Sequence, residues 1–244
     1  MNPTPITPAD TPAGHLHPMT HMIRDIQRIF AEIGFQSVAG PELDNEFYNF
    51  DALNIPSDHP ARDMQDTFWI KRDPKATDAE RLVLRTHTSS VQVHFMQNNT
   101  PPFSIIVPGK VFRNEATDAT HEVQFFQLEG LHVGKNISLA HLKGVLELFF
   151  KKLLGDGAQI RFRPSFFPFV EPGVEIDVMF RGKWLEVMGA GVVHPHVLKA
   201  AGVDPEQWSG FAFGGGIDRL IMVKYGIDDI RNFYNGDLRF VNQF

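Results

Sequence analysis

The chain has 244 residues, 43% of them hydrophobic, with no cysteine and a formal net charge of −6. These values exclude disulfides, thiolate metal sites and a cysteine nucleophile, and no apolar run reaches the roughly 18 residues of a membrane span. The acidic charge argues against a chain that grips nucleic acid by itself, and the lack of cysteine and of a signal-peptide pattern predicts a cytoplasmic protein.

The N-terminal region is polar and irregular. Residues 1–14 are rich in proline and threonine, so we expect a flexible tail, followed by a single domain over residues 15–244. His15, His17 and His21 follow at close spacing and could hold a metal ion or lie on the surface. Their neighbourhood has no cysteine and few carboxylates, which favours the surface.

Apolar residues recur every three or four positions from Pro18 to Gly34, which predicts a helix with one apolar stripe. Pro18 suits the first helical position and Gly34 the C-terminal cap. The stripe could belong to the core or to a subunit interface. A strand is expected over Phe35–Ala39. The stretch from Asn45 to Asp66 is expected to be irregular, because it is too polar for a core and too aromatic for a linker.

The next predicted elements are short. A strand is expected over Thr67–Ile70, an exposed charged excursion over Lys71–Glu80, and a second strand over Leu82–Arg85. The sequence THTSS at residues 86–90 can cap a helix that runs from about Ser90 to Asn98. Hydroxyl groups and a histidine at a strand-to-helix junction also suit the rim of a substrate site.

A hairpin surrounds the sequence FRNEATDATHEVQFFQLEG at residues 112–130. We predict strands over Val107–Glu115 and Val123–Val133, joined by a loop at residues 116–120. Alternation along a strand places Phe125, Gln127 and Glu129 on one face of the second strand, and Arg113 and Glu115 on one face of the first, so most of these side chains are polar. Such a face is either a solvated surface with Arg–Glu pairs or a polar pocket for a charged substrate.

A strong helix is predicted over Leu139–Leu154 and a strand over Gln159–Arg163. The segment Pro164–Pro172 contains three phenylalanines and three prolines, which indicates either a rigid edge of the core or an aromatic wall for an apolar ligand. A further hairpin is expected from Val174–Phe180 and Lys183–Met188, with Gly182 near its turn.

The last block predicts a strand at residues 211–213, three glycines, and a helix from about Ile217 to Gly226 with Arg219 in its first turn. Glycines at such a junction let a ligand approach the backbone, although the pattern is neither a dinucleotide fingerprint nor a phosphate loop. Arg113 and Arg219 could clamp a polyphosphate while an aromatic ring stacks on a base. Glu115 and Glu129 could receive an amine or hold magnesium.

Several stretches together resemble the catalytic module of the α subunits of bacterial phenylalanine–tRNA ligases, which are class II aminoacyl-tRNA synthetases. They are FDALNIP, HPAR, DTFW, the hairpin, RFRPSFFPFVEP, GFAFGGGIDRL and DLRFVNQF, and the resemblance covers His17 to Phe244. It implies an α+β fold, a mainly antiparallel sheet flanked by helices. Pro18–Pro41 is similar to motif 1 of the class, the hairpin to motif 2 and Phe211–Leu220 to motif 3.

The resemblance also implies roles for individual residues. ATP, as a substrate, would be bound by Arg113, Glu115, His121, Phe125 and Arg219, and the two arginines would be catalytic. Phenylalanine would be bound by Trp69, His87, Ser89, Gln127, Glu129, Phe167, Phe169 and Ala212, the last as the floor of the pocket. Glu171 would be a ligand of Mg²⁺ at the contact with a β subunit.

The implied partners are a β subunit, in an α2β2 tetramer, and tRNA(Phe), with no membrane involved. The sequence departs from the family in two places: a short Pro-rich segment stands where the family has a coiled-coil arm, which puts autonomous tRNA binding in doubt, and Gly215 replaces a larger apolar residue. Gly215 implies either a harmless loss of packing or a looser motif 3. A second hypothesis is a synthetase-like binding module without catalysis, against which the presence of Arg113, Glu115, His121 and Arg219 argues.

Overall fold

The computed structural model describes residues 14–57, 67–71 and 81–244. Nine strands are found in this part of the chain: β1 Gln36–Ser37, β2 Leu43–Asn45, β3 Leu82–Leu84, β4 Phe103–Phe112, β5 Gln124–Gly134, β6 Ile160–Phe167, β7 Val170–Phe180, β8 Lys183–Val193 and β9 Ser209–Gly216. The helices are α1 Pro18–Ala31, α2 Glu46–Asn49, α3 Ser89–Asn98, α4 Leu139–Leu154, α5 Pro195–Ala200, α6 Ile217–Tyr225 and α7 Leu238–Val241, with 3₁₀ turns at Asp51–Leu53 and Ile230–Phe233.

Seven strands form one sheet in the order β1-β4-β5-β9-β8-β7-β6. The short β1 pairs with β4 in parallel, and every other neighbouring pair in this sheet is antiparallel. The strands β2 and β3 form a separate antiparallel pair. The predicted α+β fold, a mainly antiparallel sheet with flanking helices, is therefore confirmed.

The sheet buries apolar side chains on both faces, because helices cover each of them. The helices α1, α4 and α6 pack on one face, where Met22, Phe149 and Leu220 belong to the larger apolar cluster. The 3₁₀ turn at Asp51–Leu53, α3 and α5 pack on the other face, where the second cluster includes Leu131 of β5 and Val193 of β8. The functional cleft lies on this second face.

The strongly periodic helices are confirmed. Pro18 begins α1, and the Nδ1 atom of His17 accepts a hydrogen bond from the backbone of Met19, so this histidine caps the helix. His17 Nε2 lies 3.0 Å from the carbonyl oxygen of Phe233, a second protein partner for this ring. No cluster of three potential metal-ligating side chains occurs within the described ranges.

The stretch after Asn45 was predicted wrongly as irregular. It contains α2 and the 3₁₀ turn, and Phe50, Leu53 and Ile55 are buried in the second apolar cluster. These turns are too short to show an amphipathic repeat in the sequence, although their side chains pack under α3 and α5. The predicted tail at residues 1–13, the end of this stretch at residues 58–66 and most of the predicted excursion, at residues 72–80, lie outside the described residues.

The hairpin of β4 and β5 is confirmed, but its connection is longer than predicted. The ladder ends at the pair Phe112 and Gln124, so Arg113 and Glu115 lie in the connecting loop and not on a strand. A single backbone hydrogen bond, from Arg113 N to the Val123 oxygen, extends beyond the ladder. Among the described residues, no helix is long and apolar enough to cross a membrane.

Candidate active site

Two cavities meet on the second face of the sheet and form one cleft. The first has a volume of about 380 Å³ and the second of about 270 Å³. Both cavities are lined by Arg113, Gln127, Glu186, Gly189 and Gly214. A ligand with two chemically different ends could therefore occupy both cavities at once, with its reacting bond beside the shared residues.

The first cavity has a carboxylate at its polar end. Glu129 is 7% exposed, and both of its carboxylate oxygens accept hydrogen bonds, from Ser89 Oγ at 2.7 Å and from Gln127 Nε2 at 2.9 Å. Burial raises the pKa of Glu129 to about 7, against the hydrogen bond from Ser89 and the charge of Arg113, which lower it. A cationic ligand would stabilise the charged form of this buried carboxylate, because it would supply an opposite charge.

Two further acceptors and one donor, Gln92 Nε2, belong to residues that line the first cavity and have no protein partner in the described structure. His87 Nε2 lies 2.9 Å from the carbonyl oxygen of Asn49, which makes Nε2 the protonated nitrogen. His87 Nδ1 and Gln127 Oε1 are then acceptors that are buried without a protein partner in the described structure. Burial and the nearby charge of Arg113 lower the pKa of His87 to about 3, so this ring is neutral. The polar end is therefore rich in acceptors and suits an ammonium group.

The other end of the first cavity is apolar and aromatic. Phe167 and Phe169 stack with ring centroids 5.7 Å apart, and both line the cavity. Gly189 is needed beside them, since a Cβ atom there would lie 2.9 Å from the Phe167 ring. Ala212 of β9 lines the same cavity. Phe166 is 77% exposed and lies at the rim.

The second cavity is lined by charged side chains of both signs and by the glycine backbone of β9. Arg113, Glu115, His121, Phe125 and Arg219 all line it. The Cζ atom of Arg113 lies 5.0 Å from the centroid of the Phe125 ring, within the range of a cation–π contact.

Hydrogen bonds fix the cationic groups of this cavity in place. Arg113 Nε donates to the carbonyl oxygen of Thr86 at 3.1 Å, and Arg219 Nη1 donates to the carbonyl oxygen of Glu186 at 3.1 Å. His121 Nδ1 lies 3.0 Å from Asp118 Oδ2. Hydrogen bonds from Thr120 and His121 lower the pKa of Asp118. Two arginines that are held by backbone carbonyls can receive a polyphosphate with little reorganisation.

The glycines of β9 allow close packing between strands. A Cβ atom at Gly214 would lie 2.6 Å from Glu129 Oε1, and one at Gly215 would lie 2.2 Å from the carbonyl oxygen of Val187. There is thus no void beside Gly215. The expectation that Gly215 leaves lost packing or a looser strand is wrong for this structure, because the backbone of β8 occupies the space.

Two of the predicted site residues lie away from the cleft. Trp69 is 40% exposed, lies under the guanidinium of Arg81 at 3.8 Å and does not line either cavity. The side chain of Glu171 is 79% exposed, and its Oε2 atom lies 3.6 Å from His194 Nε2. The structure brings the other predicted residues together in the cleft.

Several cleft residues were not identified from the sequence, among them the polar residues Glu186, Gln92 and Asp218. Glu186 lines both cavities, and burial and the charge of Glu175 raise its pKa. Gln92 lines the first cavity, and Asp218, buried beside Arg219, lines the second. A signal for Glu186 existed, because a single acid interrupts the apolar run of residues 185–188 on a predicted strand.

Comparisons with known proteins point to one family. The profile of the family "tRNA synthetases class II core domain (F)" matches residues 4–244. The phenylalanine–tRNA ligase α subunit of Dehalococcoides mccartyi is 51% identical over 96% of this chain and 70% of that protein. The protein of the same name from Proteus mirabilis is 53% identical over 95% of this chain and 68% of its own length.

A solved structure extends the comparison at the level of the fold. The pyrrolysyl-tRNA synthetase of Desulfitobacterium hafniense superposes with a TM-score of 0.69, covering 90% of this chain and 74% of the other, at 16% sequence identity. At this identity the likeness concerns the arrangement of the sheet and helices alone.

Proposed function

The chain belongs to the class II aminoacyl-tRNA synthetase core family, and from this membership we propose that it activates L-phenylalanine with ATP and transfers it to tRNA(Phe), as the α subunit of a phenylalanine–tRNA ligase. The observation that carries the proposal is the two-part cleft. One part is aromatic and ends in a buried carboxylate, and the other is charged and contains two arginines. Residues 15–244 are proposed as one catalytic domain that works in the cytoplasm.

The first cavity suits phenylalanine. Its phenyl ring would lie against Phe167 and Phe169, where edge contacts between aromatic rings add to the burial of apolar area. Its ammonium group would meet Glu129, Gln127 and Ser89. Hydrogen bonds from Gln127 and Ser89 already fix the Glu129 carboxylate. His87 completes this wall with its free Nδ1 acceptor.

The second cavity suits ATP. The adenine would stack between the ring of Phe125 and the guanidinium of Arg219, and the phosphates would lie beside Arg113, His121 and Arg219. Glu115 would accept from the base or the ribose. These assignments rest on the lining of the cavity and on the resemblance of the hairpin and β9–α6 segments to motifs 2 and 3.

The chemistry requires positioning and charge neutralisation more than proton transfer. A carboxylate oxygen of phenylalanine attacks the α-phosphorus of ATP, the bond from that phosphorus to the bridging oxygen breaks, and pyrophosphate leaves with the electron pair. Arg113 lines both cavities, and in this proposal its guanidinium would meet the negative charge that gathers on the α-phosphate. Held groups of this kind supply electrostatic stabilisation without reorganisation.

Magnesium would neutralise phosphate charge during this step, but the described residues do not form a complete site for it. Glu171 offers one exposed carboxylate outside the cleft, whereas Mg²⁺ prefers about six oxygen ligands. We propose Glu171 as a single ligand whose companions come from the β partner, in an α2β2 assembly. The net charge of −6 suits a division in which the partner makes most tRNA contacts.

The proposal is tested by amino-acid-dependent exchange of pyrophosphate into ATP, measured on the chain alone and together with a β subunit after size exclusion. We expect exchange with phenylalanine and little with tyrosine or histidine. Exchange driven by tyrosine or histidine, but not by phenylalanine, would overturn it. Activity only in the fractions that contain both subunits would show that the β subunit completes the site.

Glu129 should make phenylalanine binding depend on pH. Its raised pKa leaves it protonated below about pH 7, and only the carboxylate pairs with an ammonium group. The KM for phenylalanine should therefore fall about tenfold as pH rises from about 6 to 8, the change expected for one ionisation at about 7. Initial exchange rates at saturating ATP provide the measurement. The Glu129→Gln variant should bind weakly at every pH, and a steep profile in it would contradict the assignment.

A further inference from the structure

Residues 227–237, here the brace segment, lie outside the class motifs but contact the nucleotide end of the cleft. Tyr234 in this segment donates a hydrogen bond to Asp218 Oδ1 at 2.5 Å. The other oxygen, Asp218 Oδ2, accepts from the backbone N–H of Phe126 at 2.9 Å. Asp218 is 1% exposed, so these two donors satisfy a carboxylate that has almost no access to water.

The position of Asp218 makes this contact relevant to the nucleotide. Asp218 precedes Arg219 at the start of α6, and Phe126 lies on β5 between Phe125 and Gln127. The carboxylate thus joins the strand that carries one side of the adenine site to the helix that carries the other. Tyr234 fixes the Asp218 carboxylate, which forms the joint between β5 and α6.

A second contact ties the same segment to the loop that carries His121. The backbone N–H of Ile230 donates to the carbonyl oxygen of Ala119 at 3.0 Å, and Ile230 lines the second cavity. Within the loop, Asp118 accepts from the backbone N–H groups of Thr120 and His121. The brace segment therefore holds the loop as well as the joint between β5 and α6.

The electrostatics favour a strong contact at Tyr234. Burial raises the pKa of Asp218 to about 6, while the hydrogen bonds from Tyr234 and Phe126 lower it, so the carboxylate is charged above that pH. Burial and the charge of Asp218 raise the pKa of Tyr234, so the phenol keeps its proton and donates. Removing one donor would leave a buried charge half satisfied, which is the costly case for a buried polar group.

We propose that Tyr234 is a positioning residue for ATP: acting through Asp218, it holds β5 and α6 at the spacing that lets Phe125 and Arg219 enclose the adenine. This inference rests on the proposed function, since it assigns the second cavity to the nucleotide. It places the brace segment in the nucleotide site, although Tyr234 does not itself line the cavity.

The test uses Tyr234→Phe, with Tyr48→Phe as the matched control. Tyr48 also donates its hydroxyl to a side chain, Gln97, and lines neither cavity. For Tyr234→Phe we expect a rise of about tenfold in the KM for ATP in the exchange assay, the size of one lost hydrogen bond to a charged group. The KM for phenylalanine should change less than about twofold, because the bonds of Glu129 are untouched.

A merely structural role for Tyr234 would give a different pattern. A lower thermal midpoint with both KM values unchanged, or an equal rise in both, would overturn the inference. The double variant Tyr234→Phe with Asp218→Asn supplies a second check, since residues that act through each other give effects that do not add. Additive effects on the KM for ATP would contradict the proposed route.

Direct binding separates this inference from the proposed function. The Kd for ATP, measured by calorimetry on the full chain with its β partner, should rise about tenfold in Tyr234→Phe and stay unchanged in Tyr48→Phe. A wild-type chain without phenylalanine-dependent exchange would refute the proposed function. The difference in Kd between the two variants would still support the positioning role of Tyr234. An unchanged Kd for ATP in Tyr234→Phe, with an active wild-type enzyme, would refute the positioning role of Tyr234 alone.

Discussion

Replacing Arg113 by alanine is expected to lower the rate of phenylalanyl-adenylate formation by about a hundred- to a thousandfold, the range for loss of a preorganised group that meets transition-state charge. Arg113 lines both cavities, and its Nε atom is held by the carbonyl oxygen of Thr86. Burial lowers its pKa, and the charges of Glu115 and Glu129 oppose that shift, so the guanidinium stays charged. The loss should fall on adenylate formation and not only on tRNA charging.

Pyrophosphate exchange at saturating phenylalanine and ATP measures this effect. Arg28→Ala is a matched control, because Arg28 pairs with Asp25 and Glu32 on the surface of α1 and lines neither cavity. Arg113→Lys should recover only part of the activity, since an ammonium group cannot reproduce the planar contact with the Phe125 ring. Normal exchange by Arg113→Ala, with a defect confined to transfer, would remove Arg113 from the first step.

The variant could also reveal a structural role, because Arg113 contacts the segment before α3. A drop in thermal midpoint equal to that of Arg113→Lys would show that the two substitutions disturb the fold alike. The difference between them in exchange rate would then report the chemistry alone. We expect Lys and Ala to differ clearly in exchange and little in thermal midpoint.

The parts of the fold with a strong period could be predicted from the sequence. The helix predicted over Leu139–Leu154 has the observed limits, and α1 begins at Pro18 as expected. These helices bury one stripe each, so a local pattern records their packing. The β4–β5 hairpin was also predictable, since two apolar runs flank a polar loop.

Short elements show no apolar repeat from which their packing could be predicted. The helix α2 has four residues, and Phe50 beside it is buried by side chains from distant parts of the chain. The end of the hairpin ladder was equally hidden, because Arg113 fits a strand pattern although it lies in the loop. In both cases tertiary contacts decide the conformation, and a local pattern does not contain them.

For the site, residues from separate segments could be assigned together only through resemblance to a family. Alternation along β5 placed Gln127 and Glu129 on one face, but nothing in the sequence predicts that Ser89 donates to Glu129. The contact from Tyr234 to Asp218 joins residues 16 positions apart and was likewise not predictable. A pairwise contact of this kind leaves no periodic trace.

Replacing Ala212 by glycine is expected to let the enzyme accept phenylalanines with a larger group at the para position, such as para-chlorophenylalanine. Ala212 lies on β9, opposite Gly191 of β8 and Leu131 of β5, and lines the aromatic cavity. Its neighbours in β9, Phe211 and Phe213, are buried in the core, so the alternation of the strand turns Ala212 to the cleft.

The physical basis is shape. An apolar pocket distinguishes substrates that differ by one small group by only about 10- to 200-fold, so exclusion must come from a wall in close contact. With glycine at position 212, the ratio of kcat/KM for para-chlorophenylalanine to that for phenylalanine should rise by about this factor. Phenylalanine itself should lose little, because the stacked pair of Phe167 and Phe169 remains.

Exchange assays with both amino acids provide the measurement, and Ala201→Gly provides the matched control. Ala201 is fully buried whereas Ala212 is partly buried, and both belong to the second apolar cluster, but Ala201 lies at the end of α5 and lines neither cavity. Because both substitutions remove one methyl group from an alanine of this cluster, the control reports the loss of stability that such a change causes away from the cleft. A change in selectivity in Ala212→Gly alone would therefore place the wall at β9, and equal selectivity in the two variants would place it elsewhere in the cavity.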